Sequence, residues 1–369
     1  MKIKLLSIVG ARPQFIKLAP IAAEIQANHP NITHCIVHTG QHYDYALSQQ
    51  FFDELQIPPP NHNLEVGSGR HLVQMANILL KLDSVLMMEK PDMILVFGDT
   101  NSTAAAAIAA AKHHILLAHV EAGLREFNKS IPEEINKLLT DSVTDLYFPP
   151  TQTGVLNLKK AGIVQNVHCT GDLHLDLIKN NWDKIQKKTA FVLNKYQLQA
   201  KNYYFATIHR ADNTNNVENL KQILLSFSDL DAPVLFPVHP RTHRVLLENG
   251  FDTLLNPKKV RMIEPIGYWE TQVLIGQAKM VLTDSGGVSK EAYFHQTPCV
   301  ILQPQIEWIE IVEEGWAVLT LPTRSQILQA VTSFQVPQHY RAQLGNGQAA
   351  KQIVDKIIFF LNQTGIRIK

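Results

Sequence analysis

The sequence predicts an α/β protein of two Rossmann-like halves, each a parallel sheet with helices on both faces. Three observations lead to this prediction. Short apolar runs rich in β-branched residues alternate with longer segments of helical periodicity, as in successive strand–helix units. The strand-like runs are apolar throughout, which is typical of strands buried on both faces. The chain of 369 residues is long enough for two domains of ~100 to 200 residues, and the pattern begins again after its midpoint.

The first half opens with a predicted strand at residues 3–9, followed by a helical stripe of Phe15, Leu18, Ala22 and Ile25. Further strands are expected at residues 34–38, 94–97, 115–120, 146–148 and 167–170. We assign residues 1–172, together with about residues 350–369, to an N-terminal Rossmann-like domain.

The second half repeats this arrangement in residues 173–349, the predicted C-terminal domain. A polar, Trp-containing linker and lead-in helix is expected over residues 171–201. Strands are expected at residues 203–208, 234–238, 280–282 and 299–302, and helices near residues 217–227 and 287–295. A last amphipathic helix, residues 349–361, carries Ile353, Ile357, Ile358 and Leu361 at helical spacing.

Composition excludes several classes of protein. Lys and Arg number 34 against 33 Asp and Glu, so the broad basic field of a nucleic-acid-binding protein is absent and no nucleic-acid partner is expected. No run approaches the ~18 consecutive apolar residues of a membrane span, so no membrane insertion is expected. Cys35, Cys169 and Cys299 form no CxxC pair, which favours a reducing compartment and a cytoplasmic location. The first apolar stretch stops at Arg12-Pro13, as a first strand does, whereas a signal peptide would continue to a cleavage site.

Ligands of open parallel sheets bind at the carboxyl ends of the strands, so the loops that follow the predicted strands are the expected sites of chemistry. After the first strand, Gly10 permits a tight turn, and Arg12 and Lys17 bring two cations to a helix N-terminus that already favours anions. This loop is a predicted diphosphate site; the alternative is a pair of exposed cations beside a helix start. The fingerprint GxGxxG is absent, since Gly67-Ser68-Gly69 lacks the third glycine, and no NAD cofactor is expected.

A second anion site is predicted after residues 280–282, where Ser285 and Gly286 open a helix. Glu291, about two turns into that helix, is placed to reach a ribose hydroxyl pair. No GxSxG elbow surrounds Ser285, so we interpret it as a binding residue and not as a nucleophile. The alternative is an ordinary glycine-rich helix start.

Two histidines follow strands of the second half, and each has an arginine nearby: His209 precedes Arg210, and His239 lies two residues before Arg241. A lone histidine is more often structural than functional, but two such pairs at strand ends favour a role in the site. The 16 histidines of the chain form no HExxH motif and no Cys/His ligand pattern, so no metal cofactor is expected.

Three acids lie on neighbouring loops of the first half. Asp99 follows one predicted strand, Glu121 follows the next, and Glu133 comes shortly afterwards. Each has an ordinary structural alternative: Asp99 as a helix cap, Glu121 as the partner of Arg125, and Glu133 as a first-turn acid. Carboxyl groups in differently tuned surroundings suit general acid and base catalysis, which we predict for this set.

Seven short motifs occur in the order known from one enzyme family. They are Gly10-Ala11-Arg12-Pro13 with Lys17, Thr39-Gly40-Gln41-His42, Gly98-Asp99-Thr100, His119-Val120-Glu121-Ala122-Gly123-Leu124-Arg125, Pro132-Glu133-Glu134, His209-Arg210 and Thr283-Asp284-Ser285-Gly286-Gly287. With these motifs the sequence resembles the bacterial non-hydrolysing UDP-N-acetylglucosamine 2-epimerases across essentially its whole length.

The resemblance implies a GT-B-type fold, with a cleft between the two Rossmann-like domains and a C-terminal helix that crosses back to the first. It also implies a homodimer that interconverts UDP-N-acetylglucosamine and UDP-N-acetylmannosamine for surface polysaccharide synthesis. The catalytic positions that it implies are Arg12, Lys17, Asp99, Glu121, Glu133 and His209. The UDP contacts that it implies are Arg12, His239, Ser285, Gly286 and Glu291. Contacts to substrate or to an allosteric UDP-N-acetylglucosamine fall on Gln41, His42, Arg70, Arg210, Glu307 and the Glu133 loop.

Chemical reasoning favours the same reaction. The C2 proton of an N-acetylhexosamine is not adjacent to a carbonyl, so its removal must be coupled to transient oxidation or to loss of a leaving group. Oxidation requires NAD, whose fingerprint is missing, whereas elimination of UDP requires acids, cations and helix N-termini, which are present. The expected intermediate is 2-acetamidoglucal beside UDP. Which of the three carboxyl groups is the base and which the acid stays open.

The sequence departs from the family pattern at three positions. Gln303 and Trp308 replace two arginines, and Lys137 stands where an arginine usually follows Asn136. The segment 307–310, Glu-Trp-Ile-Glu, resembles the branch that epimerises UDP-2,3-diacetamido-2,3-dideoxyglucuronic acid, although that branch generally keeps the arginine that Gln303 replaces. That nucleotide is therefore the alternative substrate. Two other classes of function stay open: a GT-B glycosyltransferase, which requires an acceptor, and a UDP-sugar-binding protein without turnover.

Overall fold

The computed structural model describes residues 2–41 and 45–364, with the side chains of residues 45–48 excepted. Within these residues the chain forms two compact units. The first unit extends to Asn180 and resumes at Leu344, and the second unit is Asn181–Gln343. The sequence placed the boundaries at residues 172/173 and about 349/350. The difference arises because the helix Leu173–Asn180 packs against the helix Arg12–Asn28 of the first unit.

The first unit contains six strands and eight helices in its described residues. The strands are β1 (Ile3–Val9), β2 (Ile32–His38), β3 (His62–Asn63), β4 (Met93–Phe97), β5 (Leu116–Val120) and β6 (Leu146–Phe148). The helices are α1 (Arg12–Asn28), α2 (Tyr45–Glu54), α3 (His71–Glu89), α4 (Asn101–Lys112), α5 (Pro132–Val143), α6 (Gln152–Lys160), α7 (Leu173–Asn180) and, after the second unit, α16 (Ala349–Gln363).

The second unit also has a six-stranded sheet. Its strands are β7 (Tyr204–Thr207), β8 (Val234–Pro237), β9 (Val260–Ile263), β10 (Met280–Thr283), β11 (Cys299–Ile301) and β12 (Ala317–Leu319). Its helices are α8 (Trp182–Lys195), α9 (Ala211–Thr214), α10 (Val217–Asp229), α11 (Pro240–Glu248), α12 (Tyr268–Gln277), α13 (Gly286–Phe294), α14 (Ile309–Glu313) and α15 (Arg324–Ser333), and Phe251–Leu254 forms a short 3₁₀ helix.

Both sheets have the same strand order. The first runs β3-β2-β1-β4-β5-β6 and the second β9-β8-β7-β10-β11-β12, and every pair of neighbours is parallel. This is the Rossmann order, in which the direction of strand addition reverses between β1 and β4 and between β7 and β10. A crevice for ligands opens at that switch point in folds of this class, so the β1, β4, β7 and β10 loops are favoured for function. The predicted two-domain Rossmann-like architecture is confirmed.

The buried strands explain why this pattern is readable in the sequence. Every residue of β4 is buried, as expected for a central strand covered on both faces. Residues 104–107 of α4 are four buried alanines, whose small side chains let α4 pack closely between α3 and α5. The start of α4 is thereby fixed directly behind the β4 loop.

Several predicted elements need correction. Residues 167–170 form no strand; Val167 makes one isolated parallel bridge to Tyr147, because β6 is only three residues long and offers no further ladder. The short edge strands β3, β9 and β12 were not predicted. Residues 171–201 contain the two helices α7 and α8 in place of a linker with one lead-in helix.

The C-terminal helix α16 packs against α1 and α7 of the first unit, as the resemblance implies. Ile353, Ile357 and Leu361 are buried on this face. The carboxylate of Asp176 on α7 caps the helix by accepting hydrogen bonds from the amides of Ala349 and Ala350, at 3.0 and 2.8 Å. No helix in the described part of the chain combines the length and the apolarity that crossing a membrane requires.

Candidate functional site

The loop after β1 turns where no side chain fits. A Cβ atom on Gly10 would lie 2.0 Å from Thr39 Oγ1 and 2.4 Å from Ser102 Oγ, so only glycine allows this approach. The side chain of Gln14 closes the turn: its Oε1 accepts hydrogen bonds from the Gly10 and Ala11 amides at 2.8 and 3.1 Å. The N-terminus of α1 is thereby held rigidly at the end of β1.

Arg12 is the first residue of α1 and is exposed. Its guanidinium carbon lies 4.4 Å from the ring centroid of the buried Phe51, a cation–π contact that orients the side chain. No acid lies in the first turn of α1, so the positive end of the helix and the Arg12 cation add to one another. The arrangement is suited to an anionic ligand.

Lys17 and Glu121 form a buried ion pair between α1 and the loop after β5. Lys17 is 7% exposed and Glu121 8%, so solvent screens the pair little. Gly98, at the end of β4, makes room for it: a Cβ there would lie 3.1 Å from Lys17 Nζ and 3.2 Å from Glu121 Oε2. Glu121 itself has φ +69°, a left-handed conformation that is rare outside glycine and typical of functional sites.

Asp99 follows β4 and does not cap the next helix. The N-cap of α4 is Thr100, whose side chain accepts from the Thr103 amide, and not Asp99. Asp99 Oδ2 lies 3.5 Å from Lys137 Nζ on α5, and Lys137 Nζ lies equally far from Glu126 Oε2. The lysine that replaces the usual arginine is therefore buried between two carboxylates.

A buried network that sequence reasoning missed lies beneath these loops. Asp141 on α5 accepts from His119 Nδ1 at 2.7 Å, from Arg125 Nη2 at 2.6 Å and from the Gly123 amide at 3.1 Å. Arg125 thus pairs with Asp141, and Glu121 pairs with Lys17. Burial acts to raise the pKa of Asp141, but the hydrogen bond and charge of His119 and the Arg125 guanidinium together lower it below its usual value.

The structure does not gather every predicted residue of the first unit. Glu133 is exposed in the first turn of α5, and no hydrogen bond or ion pair among the described residues connects it with Asp99, Glu121 or Lys17. The buried acid of that turn is Glu134, which accepts from the Glu126 amide at 2.8 Å.

The remaining residues predicted in the first unit lie near α3 and α4. Gln41 accepts through Oε1 from Ser102 Oγ at 2.6 Å and from the Ser102 amide at 3.1 Å, at the start of α4. Arg70 is exposed at the N-cap of α3. His42 lies outside the described residues.

In the second unit one buried carboxylate shapes the loop after β7. Asp284, fully buried at the end of β10, accepts hydrogen bonds from the amides of His209 and Arg210, each at 3.0 Å, and from Asn213 Nδ2 at 3.0 Å. Since β7 and β10 flank the switch point, Asp284 fixes the His209 loop there. Asp284 belongs to the motif Thr283-Asp284-Ser285-Gly286-Gly287, but the sequence does not show that its strand lies next to β7.

The two predicted histidines of this unit are neighbours. The ring centroids of His209 and His239 are 5.8 Å apart. His239 is exposed at the N-cap of α11, where its Nδ1 accepts from the Arg241 amide at 3.2 Å. The His209 side chain is 42% exposed, with Nδ1 3.6 Å from Asp284 Oδ1. Arg210 is the N-cap residue of the short α9.

The helix α13 begins at the predicted second anion site. Ser285 is its N-cap residue and accepts from the Val288 amide at 3.4 Å. A Cβ on Gly286 would lie 3.4 Å from Trp308 Nε1 and 3.7 Å from Glu307 Oε1. The segment 307–308, in which Trp308 replaces an arginine, therefore packs against this turn. Glu291 is buried within α13, at 4% exposure.

Both arginine replacements alter the polar interior beside α13. Trp308 is buried, and the ammonium of the buried Lys290 lies 3.7 Å from its ring centroid. Gln303 Nε2 and both carboxylate oxygens of Glu310 are buried without a hydrogen-bond partner in the described part of the chain. Two of the three departures from the family pattern thus lie in the second unit, and the third, Lys137, lies in the first.

One cluster in the described residues has the composition of a metal site. Ligand atoms of Cys35, His62 and Glu89 lie within 4.8 Å of one another. The two Glu89 oxygens are already engaged, one by Lys4 Nζ at 2.5 Å and one by His62 Nε2 at 2.6 Å. Burial and the Glu89 charge raise the pKa of the Cys35 thiol to about 11, which disfavours the thiolate that a metal binds. We therefore assign no metal to it.

The two switch points offer different chemistry. In the first unit, acids and cations are held in buried pairs, a setting in which protons are taken up and returned at fixed positions. In the second unit, the N-termini of α11 and α13 carry His239 and Gly286, and His209 lies beside His239, a combination that in general suits phosphate oxygens.

Comparisons with known proteins point to one family over most of the chain. The sequence model of the family described as UDP-N-acetylglucosamine 2-epimerase matches residues 24–358. A protein of Methanococcus maripaludis named UDP-N-acetylglucosamine 2-epimerase homolog is 45% identical over 354 residues, which cover 95% of this chain and 98% of the relative. A Pseudomonas aeruginosa protein named UDP-2,3-diacetamido-2,3-dideoxy-D-glucuronate 2-epimerase is 39% identical, with 95% and 98% covered.

The solved structures include a similar fold with nucleotides bound. The UDP-GlcNAc 2-epimerase of Methanocaldococcus jannaschii, crystallised in complex with UDP-GlcNAc and UDP, superimposes with a TM-score of 0.90. It shares 37% sequence identity, and the alignment covers 97% of this chain and 100% of that structure.

Proposed function

Because the chain belongs to the UDP-N-acetylglucosamine 2-epimerase family, we propose that it inverts C2 of UDP-N-acetylglucosamine and so interconverts this nucleotide sugar with UDP-N-acetylmannosamine. The observation that carries the proposal is the buried Lys17–Glu121 pair beside Asp99 at the switch point of the first unit. The product is proposed to serve cell-surface polysaccharide synthesis.

The reaction is proposed to proceed by elimination and re-addition. A base removes the C2 proton while the bond between C1 and the UDP oxygen breaks, and the electron pair of the C–H bond forms a C1–C2 double bond. The products of this half-reaction are 2-acetamidoglucal and UDP. In the second half, a proton returns to C2 on the opposite face and the UDP oxygen attacks C1, so no oxidant is consumed.

Inversion requires proton removal on one face of C2 and proton delivery on the other. Asp99 and Glu121, at the ends of the neighbouring strands β4 and β5, have the different surroundings that suit this division. Glu121 is buried with the Lys17 counter-charge, whereas the Asp99 side chain is 30% exposed and lies near Lys137. We assign the proton transfers to these two acids, with Glu133 and His209 as the further catalytic residues that the family motifs propose.

The departing UDP requires groups that stabilise its diphosphate. We propose that the start of α1 with Arg12, the Ser285-Gly286 turn and His239 bind the phosphates, and that Glu291 binds the ribose hydroxyls. Helix N-termini supply oriented amides at each of these places. Gln41, His42, Arg70, Arg210 and Glu307 are proposed contacts to the sugar or to a second, allosteric UDP-N-acetylglucosamine.

A second candidate substrate is UDP-2,3-diacetamido-2,3-dideoxyglucuronate. It is favoured by the Pseudomonas aeruginosa relative of 39% identity, which is named for this substrate. It is also favoured by Trp308, which packs against Gly286 in place of an arginine. The same elimination chemistry applies to it, so the two substrates differ only in the groups at C3 and C5 of the sugar.

We also propose that the protein is a homodimer that works in the cytoplasm. Leu72, Leu80, Met87 and Met88 of α3 are each more than 60% exposed, a row of apolar side chains unusual for a free surface. The cysteines Cys35, Cys169 and Cys299 are free thiols, in keeping with a reducing compartment. Light scattering of the protein in solution tests the dimer, and a monomeric mass would contradict it.

Isotope exchange tests the proposed reaction. The protein is incubated in deuterated water with UDP-N-acetylglucosamine, or separately with the diacetamido-glucuronate nucleotide, and C2 is followed by NMR. We expect deuterium at C2 and the C2 epimer, without any sugar acceptor, from one of the two. Retained protium with both nucleotides would refute the proposal, and turnover that requires an added acceptor would indicate a glycosyltransferase.

A further inference from the structure

We propose that Asp141 is a positioning residue that holds Glu121 in its working conformation, an inference that rests on the proposed function. Asp141 is 1% exposed and lies on α5, away from the strand-end loops. Its carboxylate contacts the Glu121 segment on both sides: His119 precedes Glu121, and Gly123 and Arg125 follow it.

The backbone of Glu121 needs such support. Its φ of +69° is a conformation that a non-glycine residue keeps only when its surroundings enforce it. The Glu121 amide donates to Phe148 O at 3.0 Å, which fixes the residue against β6. The three bonds to Asp141 fix the chain immediately before and after this point. Together they direct the carboxylate toward Lys17.

The same carboxylate reaches the loop of the second acid. His119 donates through Nε2 to the carbonyl oxygen of Gly98 at 2.8 Å, and Gly98 immediately precedes Asp99. Both ring nitrogens of His119 lie within hydrogen-bond distance of an oxygen, Asp141 Oδ1 and Gly98 O, so the ring links Asp141 to the β4 loop. Asp141 thus contacts the Glu121 loop directly and the β4 loop only through His119.

The variant Asp141→Asn tests this role, with Asp145→Asn as the matched control. Asp145 lies just after the same helix, and its Oδ2 accepts one bond, from the Leu117 amide at 2.8 Å, without touching residues 119–125. We expect Asp141→Asn to lower kcat about 100-fold with KM changed less than about threefold, since a misplaced catalytic group costs rate more than binding. Asp145→Asn should leave both constants unchanged.

A double variant separates positioning from general damage. If Asp141 acts through Glu121, then adding Asp141→Asn to Glu121→Gln should lower kcat by less than about threefold further. Multiplied losses, or an equal loss in Asp145→Asn, would overturn the inference. If Asp141→Asn does not fold, Arg125→Met replaces it, because this variant removes one of the three bonds to Asp141. A lower kcat with an unchanged KM would support the inference, and a normal kcat would overturn it.

The crystal structure of Asp141→Asn gives a readout that does not need turnover. We expect φ of Glu121 to leave the left-handed region or its contact with Lys17 to break. An unchanged Glu121 would refute the inference. If the wild-type protein epimerises neither nucleotide sugar, the proposed function fails, and this structure alone decides the role of Asp141.

Discussion

The two units share one strand order and each has a helix N-terminus beside its switch point, but the buried polar groups there differ. In the first unit the groups are side-chain charges in buried pairs, such as Lys17 with Glu121 and Asp141 with Arg125. In the second unit the buried acid Asp284 binds backbone amides, and the histidines beside it are partly or fully exposed. We propose proton transfer for the buried charge pairs and anion binding for the exposed helix N-termini.

This difference follows from what each task requires. A group that exchanges protons with carbon must keep its position and its partner through the whole cycle, and burial in an ion pair provides both. A group that receives a mobile anion must be reachable, and an exposed helix N-terminus is reachable and needs no counter-ion of its own. Variants of single acids test whether the division holds.

The largest effect is expected from Glu121→Gln. The variant keeps the size of the side chain but removes the charge that accepts the proton and pairs with Lys17, so kcat should fall about 10³-fold. The affinity for UDP, measured by calorimetry, should change less than about twofold. Glu89→Gln is the matched control, because Glu89 also forms ion-pair contacts in the first unit, with Lys4 and His62, at the other end of the sheet. An equal loss of UDP affinity in Glu121→Gln would contradict the proposal that this buried pair serves proton transfer and not anion binding.

A smaller effect is expected from Asp284→Asn. The amide offers one acceptor oxygen to the three donors that Asp284 now serves, so the His209 loop should lose its place at the switch point. We expect the Kd of UDP to rise about 10- to 100-fold, as measured by calorimetry. Asp231→Asn, which alters an acid bound to Tyr204 and Lys279, should leave the Kd unchanged. Unaltered UDP binding in Asp284→Asn would remove the second unit from the proposed anion site.

The smallest effect on the reaction is expected from Asp176→Asn. This variant compares two buried acids of the first unit, Asp176 bonded to amides and Glu121 paired with Lys17. Asp176 is a buried acid that binds backbone amides, as Asp284 does. Burial raises its pKa to about 6, although the Ala350 and Ala349 amides act against this. Because the folded state binds the proton more tightly than an unfolded carboxyl of pKa ~3.9, this group favours folding below about pH 4, and its contribution is lost as the pH rises through 6.

Urea unfolding of the wild type and of Asp176→Asn between pH 4 and 7 measures this contribution. The free energy of unfolding of the wild type should decrease with pH relative to that of the variant, while turnover at pH 7 stays the same. A changed kcat would contradict the expectation that a buried acid bonded to backbone amides takes no part in the reaction.

The strand pattern was readable because the central strands are apolar on both faces. The edge strands β3 and β9 were missed since each is short and carries polar or mixed residues, such as His62 and Asn63 in β3. The edge strand β12 is apolar, but its three residues are too few to form a pattern. Residues 167–170 have a strand-like composition, but the three-residue β6 gives them a single bridge. Pairing partners, and not local composition, decide whether such segments become strands.

The site was predictable to the extent that it lies on strand-end loops. Lys17, Asp99 and Glu121 were predicted in this way, and the structure places Lys17 and Glu121 beside Gly98, the residue before Asp99. Their catalytic roles stay predictions. Asp141 was missed because it lies within a helix, and only the folded chain brings it to His119 and Arg125. The sequence does not show which face of α5 is buried, so it could not show that Glu133 is exposed and Glu134 buried.

The return of α16 to the first unit has a consequence for synthesis of the chain. Ribosomes synthesise residues in order, so the whole of Asn181–Gln343 is made before the helix that covers α1 and α7. Domains generally fold as they emerge, N-terminal ones first. The first unit therefore cannot cover the apolar surface that contacts Ile353, Ile357 and Leu361 until every residue of the second unit has been synthesised. The part of the protein that begins to form earliest is the last to be finished.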